Sequence, residues 1–216
     1  QLIVSTDQGT ITSFGQPKDN KQSIVADERN PFIEESQESE SSLAKWILQQ
    51  SNQKKGYCLL LGAEDGRLAY ELAKQSEYHI ICVESDETKI RQARQWLDRA
   101  GIYGIRISVH HIDDAKLPYT NYLANLIVIN ETAQNQFSDR EVFRVLRPYG
   151  GVMITLNQQS EDKILRRGAI EGDGDWTHLY ADASNTGCSN DQLKNPTKLQ
   201  WFGKPGPRKI VNRHSR

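Results

Sequence analysis

The chain has 216 residues, with 27 Lys and Arg against 28 Asp and Glu and a formal net charge of −1. Its mean hydropathy is −0.68, and no run approaches the roughly 18 apolar residues of a spanning helix, which excludes a membrane-embedded reading. Near-zero charge also sets aside a chain built wholly for nucleic acid, whose mark is a strong basic excess.

The first segment is Leu2-Ile3-Val4-Ser5-Thr6, then Asp7-Gln8-Gly9, then Thr10-Ile11-Thr12-Ser13-Phe14. Two β-prone runs joined by Asp and Gly predict a hairpin. Two strands alone are marginal in water, so the hairpin is expected to pair with something else. Residues 27–40 hold six acids and one Arg and read as a solvated linker or a helix flank. A helix is predicted through Leu43, Trp46, Ile47 and Leu48.

Between residues 57 and 156 short apolar runs alternate with helical patterns. The runs are 57–61, 79–83, 106–109, 126–129 and 152–154, continuous in Val, Ile and Leu as strands buried on both faces are. Leu68, Leu72 and Ala73 mark one helical stripe between them. Ile90, Ala93, Leu97 and Ala100 mark a second, ended by Gly101, and Val142, Val145 and Leu146 a third, stopped before Pro148. Strand–helix repetition at this spacing predicts an α/β fold with a doubly wound, mostly parallel, Rossmann-like sheet.

Beyond Leu156 come a short amphipathic segment over 162–167 and a Gly/Asp/Asn-rich stretch of no clear element. From Thr197 onward Lys198, Lys204, Arg208, Lys209, Arg213 and Arg216 stand without an acid, as a solvated tail or a phosphate contact. Cys58 and Cys82 lie in apolar runs and read as small buried hydrophobes; with Cys188 they form no C-x-x-C, and no metal-ligand set is spaced sensibly. The chain starts at Gln1 and its only Met is Met153, so a piece of a longer protein is expected.

The site-bearing motif follows the first parallel strand: Leu61-Gly62-Ala63-Glu64-Asp65-Gly66-Arg67-Leu68-Ala69. A Gly-containing turn between a strand and a helix lets backbone N–H groups face a ligand closely. A dinucleotide G-x-G-x-x-G fingerprint from Gly62 would need Gly at 64 and 67, where Glu64 and Arg67 stand. The spacing fits G-x-G-x-G with its middle Gly lost. Glu84 closes the second strand, about 20 residues on, where a carboxylate can accept from both hydroxyls of a ribose. Asp113 and Asp114 follow the third strand, where an acid can reach the exocyclic amine of adenine. Singly, Glu84 could be a strand-end carboxylate and Asp114 a turn residue. Together at the carboxyl edge of one sheet they point to a nucleoside pocket.

These residues resemble a class I S-adenosylmethionine-dependent methyltransferase domain over 57–156. The likeness rests on the Gly62–Gly66 turn, Val83-Glu84-Ser85-Asp86, Asp113-Asp114-Ala115-Lys116-Leu117-Pro118, Asn125-Leu126-Ile127-Val128-Ile129 and Leu146-Arg147-Pro148-Tyr149-Gly150-Gly151. It implies S-adenosylmethionine as cofactor. Gly62, Ala63, Glu64 and Gly66 would pass its methionine part, Glu84 and Ser85 its ribose, and Asp113 and Asp114 its adenine. Asn130 and Glu131 would lie nearest the transferred methyl. Glu131 and His111, with His110, are the base candidates, and no metal is implied. Three positions depart from the pattern. Leu60 stands two before the first Gly, where an acid is usual; Glu64 replaces the middle Gly, and Asn125 the acid of the fourth strand.

The flanks resemble a quinoprotein-type β-propeller, pyrroloquinoline-quinone-dehydrogenase-like. Residues 2–14 are similar to a blade end; Trp176-Thr177-His178-Leu179-Tyr180-Ala181-Asp182, and on through Trp201, are similar to the opening of another repeat. The expected organisation is a blade-like hairpin at 1–15, an acidic linker at 16–41, a methyltransferase-like domain at 42–170 and a propeller-like basic tail at 171–216. Three readings follow: a methyltransferase or S-adenosylmethionine-binding domain of unknown acceptor, a degenerate insert with a structural role among propeller blades, and a nucleotide-dependent oxidoreductase. A soluble chain is expected, cytoplasmic and exported placement both open, with the remaining blades and an acceptor as partners.

Overall fold

The computed structural model describes residues 2–5, 11–15, 32, 37–157 and 161–192. β1 (Leu2–Ser5) and β2 (Ile11–Phe14) pair antiparallel, Leu2 opposite Phe14, as a separate two-stranded sheet. The expected turn at 7–9, the linker stretch 16–31 and the tail beyond 192 lie outside the described residues.

Helix α1 (Gln37–Ser51) buries Ala44, Ile47, Leu48 and Ser51, one stripe at helical spacing. It begins inside the stretch read as a linker, because acids in a first helical turn are favoured by the backbone dipoles there. Five strands form the parallel sheet, as the five apolar runs predict: β3 (Lys55–Leu61), β4 (Glu77–Glu84), β5 (Ile107–His111), β6 (Leu126–Ile129) and β7 (Val152–Thr155). The short segment after Leu156 supplies a sixth, β8 (Lys163–Arg166), antiparallel to β7. All four of its residues are exposed, so no alternation marks it in the sequence.

The order across the sheet is β5-β4-β3-β6-β7-β8. Helices α2 (Arg67–Gln75) and α3 (Glu87–Arg99) join α1 on one face, over Cys58, Leu60, Ile80, Cys82 and Val128. Both thiols sit in that core, and burial drives the Cys82 pKa up to about 12, which makes it a small hydrophobe. The other face, over Leu59, Leu61, Ile127 and Ile129, is covered by α4 (Asp139–Val145) and by the loops carrying Leu117 and Phe137.

From β3 the chain runs to β4 and β5 on one side, then crosses back to β6 on the other. The crevice outside the carboxyl ends at such a reversal is where open α/β sheets bind ligands. Here it falls between Leu61 and Ile129, paired in register as the last residues of β3 and β6.

Candidate functional site

The turn after β3 is held from two sides. The N–H groups of Gly62 and Ala63 donate to the Val83 carbonyl at 2.9 and 3.3 Å. Gly62 has φ +79°, and a Cβ there would stand 2.6 Å from Thr132 Oγ1 and 3.2 Å from Asn130 Cβ. Backbone conformation and the approach of the loop after β6 both demand glycine. Asn130 locks that approach: its Nδ2 donates to the Gly62 carbonyl at 3.3 Å, while its Oδ1 accepts from the Glu131 N–H at 2.9 Å.

Glu84 is the centre of the arrangement. Its side chain is buried, 6% exposed. Oε2 accepts from the Glu64 N–H at 3.0 Å, and Oε1 from the N–H groups of Ser85 at 3.0 Å and Asp86 at 3.2 Å. A carboxylate offers about four lone-pair sites, so one acceptor is left for a ligand hydroxyl where sequence reasoning called for two. Asp86 in turn caps α3, accepting from Thr88 and Lys89 N–H groups that hold its carboxyl below the usual range. His111 Nε2 lies 3.1 Å from the Ser85 carbonyl, and the Ile112 N–H donates to the Glu84 carbonyl at 3.1 Å. Gly62, Ala63, Glu64, Glu84, Ser85, His111 and Asn130 are therefore gathered at one edge.

The other expected site residues make local contacts of their own. Gly66 has φ +83°, and its absent Cβ makes room for Leu97 at 3.2 Å and Ala93 at 3.3 Å, so its lack of a side chain serves the packing against α3. Asp113 and Asp114 are exposed beyond β5, and Asp114 Oδ1 accepts from the Lys116 N–H at 3.3 Å, the turn role. Glu131 is exposed at the start of a 3-10 turn, Glu131–Ala133. His110 lies beside Val83 in register and meets Tyr119 Oη at 2.8 Å. Burial, with Arg94 nearby, holds its pKa below the ordinary value.

Two of the departures have plain places in the fold. Leu60 is 1% exposed in the core beneath the helices. Asn125 precedes β6, away from the carboxyl edge: its Oδ1 accepts from the Tyr57 N–H at 3.2 Å and its Nδ2 donates to Gln53 at 3.1 Å. Glu64 takes φ +50°, a left-handed conformation that glycine adopts at lower cost. Thr132 was not foreseen: its contact with Gly62 depends on how two distant loops meet, and no sequence signal marks it.

Residues 59–150 match the family model of a methyltransferase domain. Among solved structures, a provisionally named S-adenosyl-L-methionine-dependent methyltransferase from Methanococcus maripaludis is 25% identical, with 53% of each chain covered and a TM-score of 0.49. A provisionally named sarcosine dimethylglycine methyltransferase from Galdieria sulphuraria is 22% identical, covering 53% of this chain and 46% of that one, TM-score 0.47. The 4+2 cyclase SpnF is 19% identical, covering 53% of this chain and 43% of that one, TM-score 0.48. The chain thus spans about half the length of these structures. No curated protein matches it significantly. Among the described residues no helix is long and apolar enough to cross a membrane, and no group of three or more His, Cys, Asp and Glu could hold a metal ion.

Proposed function

We propose that residues 42–170 form an S-adenosylmethionine-dependent methyltransferase domain. The observation that carries this reading is the hydrogen bond from the Glu64 N–H to Glu84, which ties the turn after β3 to the end of β4 beside the crevice. The methyltransferase-domain match over 59–150, within that span, supports it.

The residues present fit the cofactor at this edge. Glu84 keeps one acceptor for a ribose hydroxyl, the backbone of 62–64 would pass the methionine part, and the exposed Asp113 and Asp114 would flank the adenine. When bound, S-adenosylmethionine supplies a methyl group on cationic sulfur, which an acceptor takes as the carbon–sulfur bond breaks and its electron pair stays on sulfur. The protein's part is alignment and exclusion of water, and Asn130 with the loop after β6 provides the positioning surface. For a poorly ionised acceptor, the exposed carboxylate of Glu131 takes the acceptor's proton.

A second reading is a non-catalytic insert between propeller blades. Supporting it are buried Leu60, the carboxylate that Glu64 adds to the turn, and Thr132 lying over Gly62. The exposed apolar side chains of Trp176, Leu179 and Tyr180 in the C-terminal flank suit contacts with neighbouring blades. Calorimetric titration with S-adenosylhomocysteine and with NAD separates the readings. Binding of the first alone supports the methyltransferase, binding of neither leaves the insert, and NAD binding would restore an oxidoreductase.

A further inference from the structure

A groove of about 650 Å³ opens beside the carboxyl ends of β3, β6 and β7, where Leu61, Ile129 and Thr155 finish their strands. It exists because the chain passes from β7 to β8 with no helix between them among the described residues, leaving that part of the sheet face uncovered. Met153 and Leu165, opposite each other in the β7–β8 register, form its floor with Ile129. Phe137 and Phe143 form a wall. That wall is fixed rather than loose. The Arg167 guanidinium sits 4.2 Å from the Phe143 ring centroid and donates to the Phe143 and Leu146 carbonyls. Gln134 closes the near end, its Nε2 donating to the Leu156 carbonyl at 2.6 Å.

The groove also adjoins the glycine turn. Ala133 lines it, and the same Ala133 Cβ would stand 3.2 Å from a Cβ on Gly62. Its charged lining is two cations, Arg140 and Lys163, against one acid, Asp139. Among the described residues neither cation's side chain has a hydrogen bond or an ion pair. A cavity of this size with an apolar floor and a few polar groups at the rim is the usual form of a small-molecule site.

We propose that this groove takes the methyl acceptor, and that the acceptor is an apolar molecule with an anionic carboxylate or phosphate head. The assignment of an acceptor rests on the methyltransferase reading above. The apolar body covers Met153, Leu165 and Phe143, gaining from area removed from water. The head meets Arg140, whose planar fork suits either anion, and Lys163.

The test is calorimetric titration of the full chain with decanoate, decyl phosphate and decyltrimethylammonium. Both anions are expected to bind about tenfold or more tighter than the cation. The double variant Arg140→Glu/Lys163→Glu, at two exposed positions, should reverse that order, and Phe143→Ala should weaken all three probes alike. The order of the two anions tells a carboxylate head from a phosphate head. Equal binding of anions and cation, an order unmoved by the double charge reversal, or no binding of any probe overturns the proposal. S-adenosylhomocysteine titrated into the same samples keeps the two claims apart. Its failure to bind removes the nucleoside reading and the acceptor role with it; lost anion preference while it still binds removes the groove assignment alone.

Discussion

Replacing Glu84 with Gln changes one atom and tests what holds the crevice open. In the native chain one carboxylate oxygen accepts from Glu64, and the other from Ser85 and Asp86. The amide must turn its NH2 toward one set. Taking the Oε2 place, it opposes the Glu64 N–H and leaves that bond unmade, at about 1.5–3 kcal/mol for a bond to a charged acceptor. The other two bonds fall from charge-assisted to neutral, each weaker by about 1 kcal/mol. Because the site is 6% exposed, water cannot restore the missing partner. These losses come to about 3.5–5 kcal/mol; with local rearrangement offsetting part, the expected net loss is about 3 kcal/mol. Urea unfolding followed by circular dichroism reads it as a lower midpoint at unchanged slope. In samples held on the native baseline, S-adenosylhomocysteine affinity should fall as well. A variant within about 0.5 kcal/mol of the native chain, near the scatter of ordinary surface substitutions, would refute the claim that this carboxylate organises the turn.

Three further outcomes follow from the same geometry. Gly62→Ala places a Cβ 2.6 Å from Thr132 Oγ1 at φ +79° and should cost about 2–4 kcal/mol; adding Thr132→Ala should recover at least about 1 kcal/mol, and strict additivity in thermal unfolding would count against the contact. Glu64→Gly relieves a left-handed conformation at φ +50° and should stabilise by up to about 1 kcal/mol after the entropy of the glycine chain is counted. It should also tighten S-adenosylhomocysteine binding, and unchanged affinity would clear Glu64 of any part in a weakened site. Glu141, gripped by both Nε and Nη2 of Arg144 and by the Leu117 N–H, has its pKa pulled down chiefly by the Arg144 hydrogen bonds. Its folded pKa lies below the unfolded value of about 4.3, so its contribution is full above that value and fades as pH falls through the folded pKa. Between about pH 5 and pH 3 the native chain should lose more stability than Glu141→Gln, and parallel curves from acid-dependent unfolding would contradict the assignment.

The parallel strands were legible because a strand covered on both faces must be apolar throughout, and runs such as 126–129 carry that mark without interruption. Helix α3 was legible for another reason: its stripe of Ile90, Ala93 and Leu97 is buried, Asp86 caps its start, and Gly101 with φ +71° follows its end. β8 carried no such signal, since a short edge strand exposed at every residue needs no pattern. Spacing picked out Gly62 and Glu84, which the structure brings to one edge of the sheet. Spacing picked out Gly66 as well, but a left-handed glycine before a helix looks the same in sequence whether its missing Cβ faces a ligand or, as here, meets Leu97.

Glu64, where the resemblance expects a glycine, acts in two separable ways. What the turn draws from residue 64 is a backbone donor, the N–H to Glu84 Oε2 at 3.0 Å, and any residue except proline supplies it. The side chain points out to an exposed position and adds only its charge and the left-handed strain. Glutamate there is thus compatible with a well-formed turn, while its charge acts on whatever enters the crevice. Leu60 offers no compensation, since it lies in the core on the helix side of the sheet, where an acid would be buried without a partner. Turn integrity and ligand affinity are therefore separable quantities in this chain. Glu84→Gln should lower both, whereas Glu64→Gly should raise affinity by more than its small gain in stability accounts for.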